Sequence, residues 1–156
     1  SNLDLQPMDY ISILNYMMFE TQKKGKDIII TGCQSGILHY DNSDIREFPI
    51  YQYMYLLGIM PDAVILCVNP HDELEYIERV LTFIKAVCGE IVIALVMYPI
   101  ETVGLNNGMS FKSKVISHEE FQKKKESFME ITDIPLFLLG DQEDMKKISE
   151  RIINFF

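Results

Sequence analysis

The sequence predicts an α/β domain: three layers, Rossmann-like, with a mostly parallel sheet of four or five strands. Two observations carry this. Apolar, β-rich runs at residues 62–69 (DAVILCVN), 90–98 (EIVIALVMY) and 134–140 (IPLFLLG), with a shorter one at 27–31 (DIIIT), do not alternate polar with apolar. Continuous runs are what strands look like when helices cover both faces, as in parallel sheets. Helical patterns fill the intervals, giving the order α-β-α-β-α-β-α-β-α, and such alternation implies right-handed crossovers.

Residues 7–24 read as an opening helix ended by Gly25, with Ile11, Leu14, Met17 and Met18 facing inward. Residues 27–31 are then the first strand. Residues 47–57 are apolar nearly all round, with Pro49 in the first turn and Gly58 past the end, and so predict a well-buried helix. After the strand at 62–69, residues 72–88 place Leu74, Ile77, Leu81, Ile84 and Cys88 on one stripe, with Asp72 and Glu75 as a capping box. The strand at 90–98 is followed by a long connection, 99–116, which shows no apolar period and reads as a mobile loop or a lid. Ser117 and Glu120 make a second capping box, opening a helix to about residue 130 whose thin stripe, Phe121 and Phe128, predicts packing at an edge. The final helix, 141–156, puts Met145, Ile148, Ile152 and Phe155 on one face.

The 156 residues suit one compact domain, 1–156, either whole or as the carboxyl-terminal domain of a longer protein; Ser1 and Asn2 have the look of a cloning remnant. An apolar fraction of 48% is ample for a core. With 23 acidic against 14 basic residues the net charge is −9, which argues against a nucleic-acid partner. No apolar run approaches the ~18 residues of a membrane span, and no signal segment opens the chain, so no membrane partner is expected. Cys33, Cys67 and Cys88 are odd in number and widely spaced, which argues against a disulfide framework and points to a reducing, cytoplasmic setting. Cys67 and Cys88 read as small buried hydrophobes, and Cys33 as the thiol with access to solvent. His71 and His118 read as surface residues, and no metal site is expected.

Ligands of open α/β sheets sit beyond the carboxyl ends of the strands. That rule selects four loops: 32–44, 69–72, 99–116 and 140–144. The first is the richest, with Thr31, Gln34, Ser35, His39, Tyr40, Asp41, Asn42, Ser43 and Asp44 between two glycines, Gly32 and Gly36. Hydroxyls and carboxylates suit magnesium and amides suit oxyanions, so the loop suits a phosphate-metal ligand; the composition assigns no cofactor, and a nucleotide with magnesium is one candidate. Asn69 and Tyr98 are the polar residues at the ends of the next two strands. The candidate ligand-binding set is therefore Thr31, Gln34, Ser35, Asp41, Asn42, Asp44, Asn69 and Tyr98. Gly32-Cys33-Gln34-Ser35-Gly36 is G-x-x-S-G rather than the G-x-S-x-G of an esterase elbow, and no helix follows Ser35 directly, so no catalytic residue is assigned. Tyr51, Tyr53 and Tyr55 in one helix cannot all face inward, which suggests an exposed apolar surface for a protein partner or a second copy of the chain.

A strand closing in TGCQSG, then LHYDNSD, then a helix running into YLLGIMPDAVILCVNP, resembles the second half of a P-loop nucleoside-triphosphatase domain of the dethiobiotin-synthetase-like branch, over residues 27–99. The overall texture is similar, more distantly, to that of clostridial peptide-maturation-system proteins. The resemblance implies that Gln34, Ser35 and Asp41 lie near phosphates, and Tyr98 and Asp141 near a base. Two departures stand out. The G-x-x-x-x-G-K-[ST] phosphate loop is absent, and Thr31 stands where the family has an acidic residue. Two expectations follow: a non-catalytic ligand-binding or protein-interaction domain related to P-loop nucleoside triphosphatases, for which the resemblance suggests a peptide-modification pathway, or the carboxyl-terminal half of a nucleotide-dependent enzyme whose phosphate loop lies outside this chain.

Overall fold

In a computed structural model of the chain, the residues described are 6–33, 36–39, 49–104 and 111–156, side chains excepted at 101–104 and 111–112. The elements are α1 (Pro7–Gln22), α2 (Ile50–Ile59), β1 (Val64–Val68), α3 (Leu74–Cys88), β2 (Val92–Met97), β3 (Ile100–Gly104), β4 (Phe111–Val115), α4 (His118–Met129), β5 (Leu136–Leu138) and α5 (Gln142–Phe155). They fall into two compact units, one of Ser1–Asp62 with Ala86–Gly89, the other of Ala63–Lys85 with Glu90–Phe156.

The larger unit holds the α/β fold. Its sheet has three parallel strands in the order β1-β2-β5. β2 is central, and Ile93 through Met97 are all buried, as its uninterrupted apolar run predicts. Ala94 and Val96 face α5, whose stripe of Met145, Ile148 and Ile152 packs on them together with Phe137 of β5. Ile93, Leu95 and Met97 point to the opposite face. The buried stripes of α3 (Ile77, Val80, Ile84) and α4 (Phe121, Phe128) complete this unit's core. Both faces of the central strand are thus buried. The thin stripe of α4 is nonetheless deeply buried, and Phe155 of α5 stays exposed beyond the stripe.

β1 differs from expectation. Val64, Leu66 and Val68 turn one way and are buried or half-buried, while Ile65 and Cys67 turn the other way and are exposed. Cys67 is therefore not a core residue, because the sheet face that Ile65 and Cys67 point to is uncovered at β1. Cys88 is half-buried, and desolvation raises its thiol above the ordinary value.

Residues 99–116 are not one long loop. Ile100–Gly104 and Phe111–Val115 form an antiparallel two-stranded sheet in the register Ile100↔Val115 to Gly104↔Phe111, and the Ile116 N–H reaches the Pro99 carbonyl at 2.9 Å. Phe111-Lys112-Ser113-Lys114-Val115 carries apolar residues only at its two ends, as suits a ribbon with little to bury.

The smaller unit pairs α1 with α2. Ile11, Leu14 and Met18 are half-buried as expected, but Met17 is exposed. Gly58 lies inside α2 rather than past its end; a Cβ there would sit 2.7 Å from the Leu14 Cβ, so the glycine permits the close approach of the two helices. Met60, at φ 45°, ends α2 in its place. α2 is also less buried than its composition suggests: Met54, Leu56 and Gly58 are buried, while Ile50, Tyr51 and Tyr53 are exposed, and Pro49 precedes the helix. Residues 27–31 form no strand, and Ile28 and Ile30 are 47% and 88% exposed. Isoleucine-rich sequence favours a strand locally, but a strand exists only where a partner supplies its hydrogen bonds, which local propensity does not encode.

Candidate functional site

The groove that best matches the rule for α/β sheets lies in the larger unit, past the carboxyl ends of β1 and β2. It holds about 390 Å³. Pro70, just beyond β1, Met97, the last residue of β2, and Ile116, which precedes α4, give it an apolar floor; Glu120, Lys123, Lys124 and Ser127 of α4 form its polar wall. Spacings of three, four and seven residues from Glu120 put these four side chains on one side of the helix.

The wall is built from the start of α4. Ser117 caps the helix by accepting the Glu120 N–H at 3.2 Å, and Glu120 Oε2 accepts the Ser117 N–H at 2.7 Å, the capping box that the sequence predicts. The Lys114 ammonium donates to Glu120 Oε1. That hydrogen bond and those from Ser117 hold the Glu120 carboxyl down at about 2, so it is anionic at neutral pH. Lys123 meets Glu119 at 2.7 Å, an exposed i,i+4 pair of small strength. Lys124 is different. It is half-buried, it donates to the Asp72 carbonyl at 2.8 Å, and among the described residues no carboxylate lies within ion-pair distance of it. One of its three N–H donors is fixed by a neutral oxygen, so its charge is oriented but not neutralised.

Asp72 is the support beneath. It is 2% exposed, and its Oδ2 accepts the Asn69 N–H at 2.8 Å. Its backbone carbonyl then faces Lys124. Ser127 donates its hydroxyl to the Lys123 carbonyl at 3.0 Å, a bond within the helix that leaves the oxygen's lone pairs to accept. The lining contains no histidine or cysteine, and its serine is not paired with a base.

Of the residues predicted from sequence, Asn69 and Tyr98 stand at the carboxyl ends of the adjacent strands β1 and β2, and the Tyr98 N–H bonds the Val68 carbonyl at 3.0 Å. Both flank the groove without lining it: Asn69 is tied to Asp72, and Tyr98 is exposed. Thr31 is exposed and belongs to the other unit. Gln34, Ser35, Asp41, Asn42 and Asp44 lie outside the described residues. Asp141 accepts the Glu143 and Asp144 N–H groups as the cap of α5. Partial desolvation raises the Cys33 thiol, the opposite of activation. Sequence reasoning missed the α4 wall, although Lys123-Lys124-Lys125 in an acidic chain was a signal; only the fold shows which of the three turns to the groove.

A second hollow, of about 450 Å³, runs along α1 between Ile11, Ser12, Asn15, Tyr16 and Phe19, and none of these residues is charged at neutral pH. Among the described residues no three potential metal ligands cluster, and no helix is long and apolar enough to cross a membrane. No protein-family model, curated protein or solved structure matches the chain.

Proposed function

We propose that the chain is a non-catalytic, Rossmann-like ligand-binding domain, related to the P-loop nucleoside triphosphatases but without their phosphate loop, and that it holds a small ligand with an anionic group and an apolar body. The observation that supports this reading is Lys124: a half-buried ammonium, oriented by the Asp72 carbonyl and unmatched by a carboxylate among the described residues, beside the apolar floor of Pro70, Met97 and Ile116. Position agrees with chemistry, since the groove lies where α/β sheets place their ligands. A role in a cytoplasmic peptide-modification pathway rests on the resemblance alone.

The test is calorimetric titration of the chain with ATP, AMP and inorganic phosphate, each with and without magnesium. We expect at least one to bind, and Lys124→Met to weaken it by about tenfold or more, because a hydrogen bond to a charged group contributes about 1.5–3 kcal/mol. Heat from none of the probes, or equal affinity in the variant, overturns the reading. Binding that requires magnesium assigns the ligand to the nucleotides.

A further inference from the structure

We infer that the outer edge of β1 takes up residues 27–31 of a second copy of this chain as an added strand. The hydrogen-bond pattern of β1 defines that edge. The Val64 N–H bonds the Ile91 carbonyl at 2.8 Å and the Val68 carbonyl accepts the Tyr98 N–H at 3.0 Å, so the even-numbered residues bond to β2. In a parallel ladder the intervening residues, Ile65 and Cys67, then turn their N–H and C=O groups outward. Among the described residues no strand pairs with that side. Both side chains are exposed as well.

Edge strands are ordinarily blunted by lysine, proline, a bulge turned outward or a covering element. β1 is Val-Ile-Leu-Cys-Val, with no charge and no proline, and its irregularity, between Val64 and Ile65, is in the register with β2. The outer side is thus an open template of five apolar residues.

The occupant is suggested by a second anomaly. Residues 27–31, Asp-Ile-Ile-Ile-Thr, have the composition of a strand and form none, and Ile30 is 88% exposed. The segment matches β1 in length, and adding it would satisfy the outward groups of Ile65 and Cys67 while withdrawing Ile28 and Ile30 from water. Among the described residues of one chain, neither the edge nor the segment is paired as a strand. Two copies related by a two-fold axis would satisfy each of them twice, which is the closed, self-complementary exchange that symmetric dimers favour.

The experiment uses the full chain. Sedimentation across a concentration series gives the oligomeric state, and residue-resolved amide hydrogen exchange reads Ile65 and Cys67. We expect a dimer whose Ile65 and Cys67 amides exchange about tenfold or more slowly than in the monomer. Ile30→Lys, at a fully solvated site, should give a monomer with fast exchange at both amides. Ile65→Pro removes an outward donor without touching a bond to β2, and should give the same result from the receiving side. A monomer at every concentration overturns the inference, whether its β1 amides are fast or are protected by the same chain. So does a dimer that survives both substitutions, or one in which these amides exchange at the monomer rate.

Discussion

The carboxylate of Asp72 accepts the backbone N–H of Asn69 at 2.8 Å. Along β1 the odd-numbered N–H groups turn away from β2, and Asn69 is the first such donor past the strand's end. Asp72 thus closes the backbone where the ladder stops, and the same residue's carbonyl aims Lys124 at the groove. A single turn, residues 69–72, couples the end of a strand to the wall of the candidate site.

Removing that carboxylate should therefore be expensive. Asp72→Ala leaves the Asn69 N–H without its acceptor in a partly buried turn, a loss of about 1–3 kcal/mol. Asn69→Ala keeps the backbone bond and removes only a 3.5 Å side-chain contact, so about 0.5 kcal/mol or less is expected. Urea denaturation followed by circular dichroism separates the two. Equal losses would mean that the Asn69 side chain, and not its backbone, is what Asp72 secures.

Gly58 offers a second contrast. Alanine in a helix interior is ordinarily better than glycine by about 1 kcal/mol. Here the added Cβ would meet the Leu14 Cβ at 2.7 Å and the Ile11 carbonyl at 3.2 Å. Neither atom is the free end of a side chain, so α1 and α2 must move apart, and overpacking of this kind costs about 1–3 kcal/mol. Gly58→Ala should be net destabilising by up to about 2 kcal/mol. Gly32→Ala, where nothing lies within 4 Å and φ is not in the left-handed region, should be neutral or slightly stabilising. Thermal melts of both variants check the pair.

These cases show what a sequence can and cannot encode. The uninterrupted apolar run of β2 and the 3.6-residue stripe of α5 were legible because burial on both faces, or on one, leaves a period in the chain itself. The Ser117–Glu120 box was legible for the same reason: both partners lie within one helical turn. Residues 27–31 misled because a strand needs a partner, and pairing is a property of distant sequence. Cys67 misled likewise, since an apolar run does not say whether both faces of its strand will be covered. The hairpin at 99–116 was not legible because neither of its strands carries a sustained apolar period, and such a stretch reads as loop. As for the site, the end-of-strand rule found the right turn at 69–72, but Lys124 is held by a carbonyl 52 residues away, and no local pattern contains that.

Glu120 gives a prediction in pH. Its carboxyl is lowered from 4.5 to about 2 by the hydrogen bonds from Lys114 and Ser117. A group whose folded pKa is depressed binds fewer protons in the folded state, so its contribution is complete above the unfolded value and fades as pH falls through the folded one. The window is therefore from about 4.5 down to about 2. Glu120→Gln keeps an acceptor for the Ser117 N–H but loses the charge. Its stability deficit relative to the unsubstituted chain should be constant above pH 5 or so, and should shrink through that window. Carbon-detected NMR titration of the Glu120 carboxyl should find its midpoint well below that of an ordinary glutamate; a midpoint near 4.5 would show that the Lys114 contact does not persist in solution.

At the start of α5 the cap Asp141 and the first-turn Asp144 have different tasks, and their variants should differ accordingly. Asp141 caps the helix, accepting the Glu143 and Asp144 N–H groups at 3.0 Å each, and it is exposed. Asp144, 9% exposed, turns back to accept the Leu138 N–H at 2.8 Å, tying the helix to the end of β5. Asp141→Ala should lose about 1 kcal/mol, the usual worth of a cap, and Asp141→Ser should restore most of it, because a hydroxyl oxygen also accepts from the first turn. Asp144→Ala leaves a strand-end N–H unpaired and should lose about 1–3 kcal/mol, with no rescue by serine, whose shorter side chain cannot span the gap to Leu138. Neither substitution touches the groove, so each variant should bind whatever ligand the unsubstituted chain binds with unchanged affinity, measured at a temperature where both are folded. A drop in affinity for Asp141→Ala, with stability intact, would instead place that carboxylate against a ligand, as the P-loop resemblance implies.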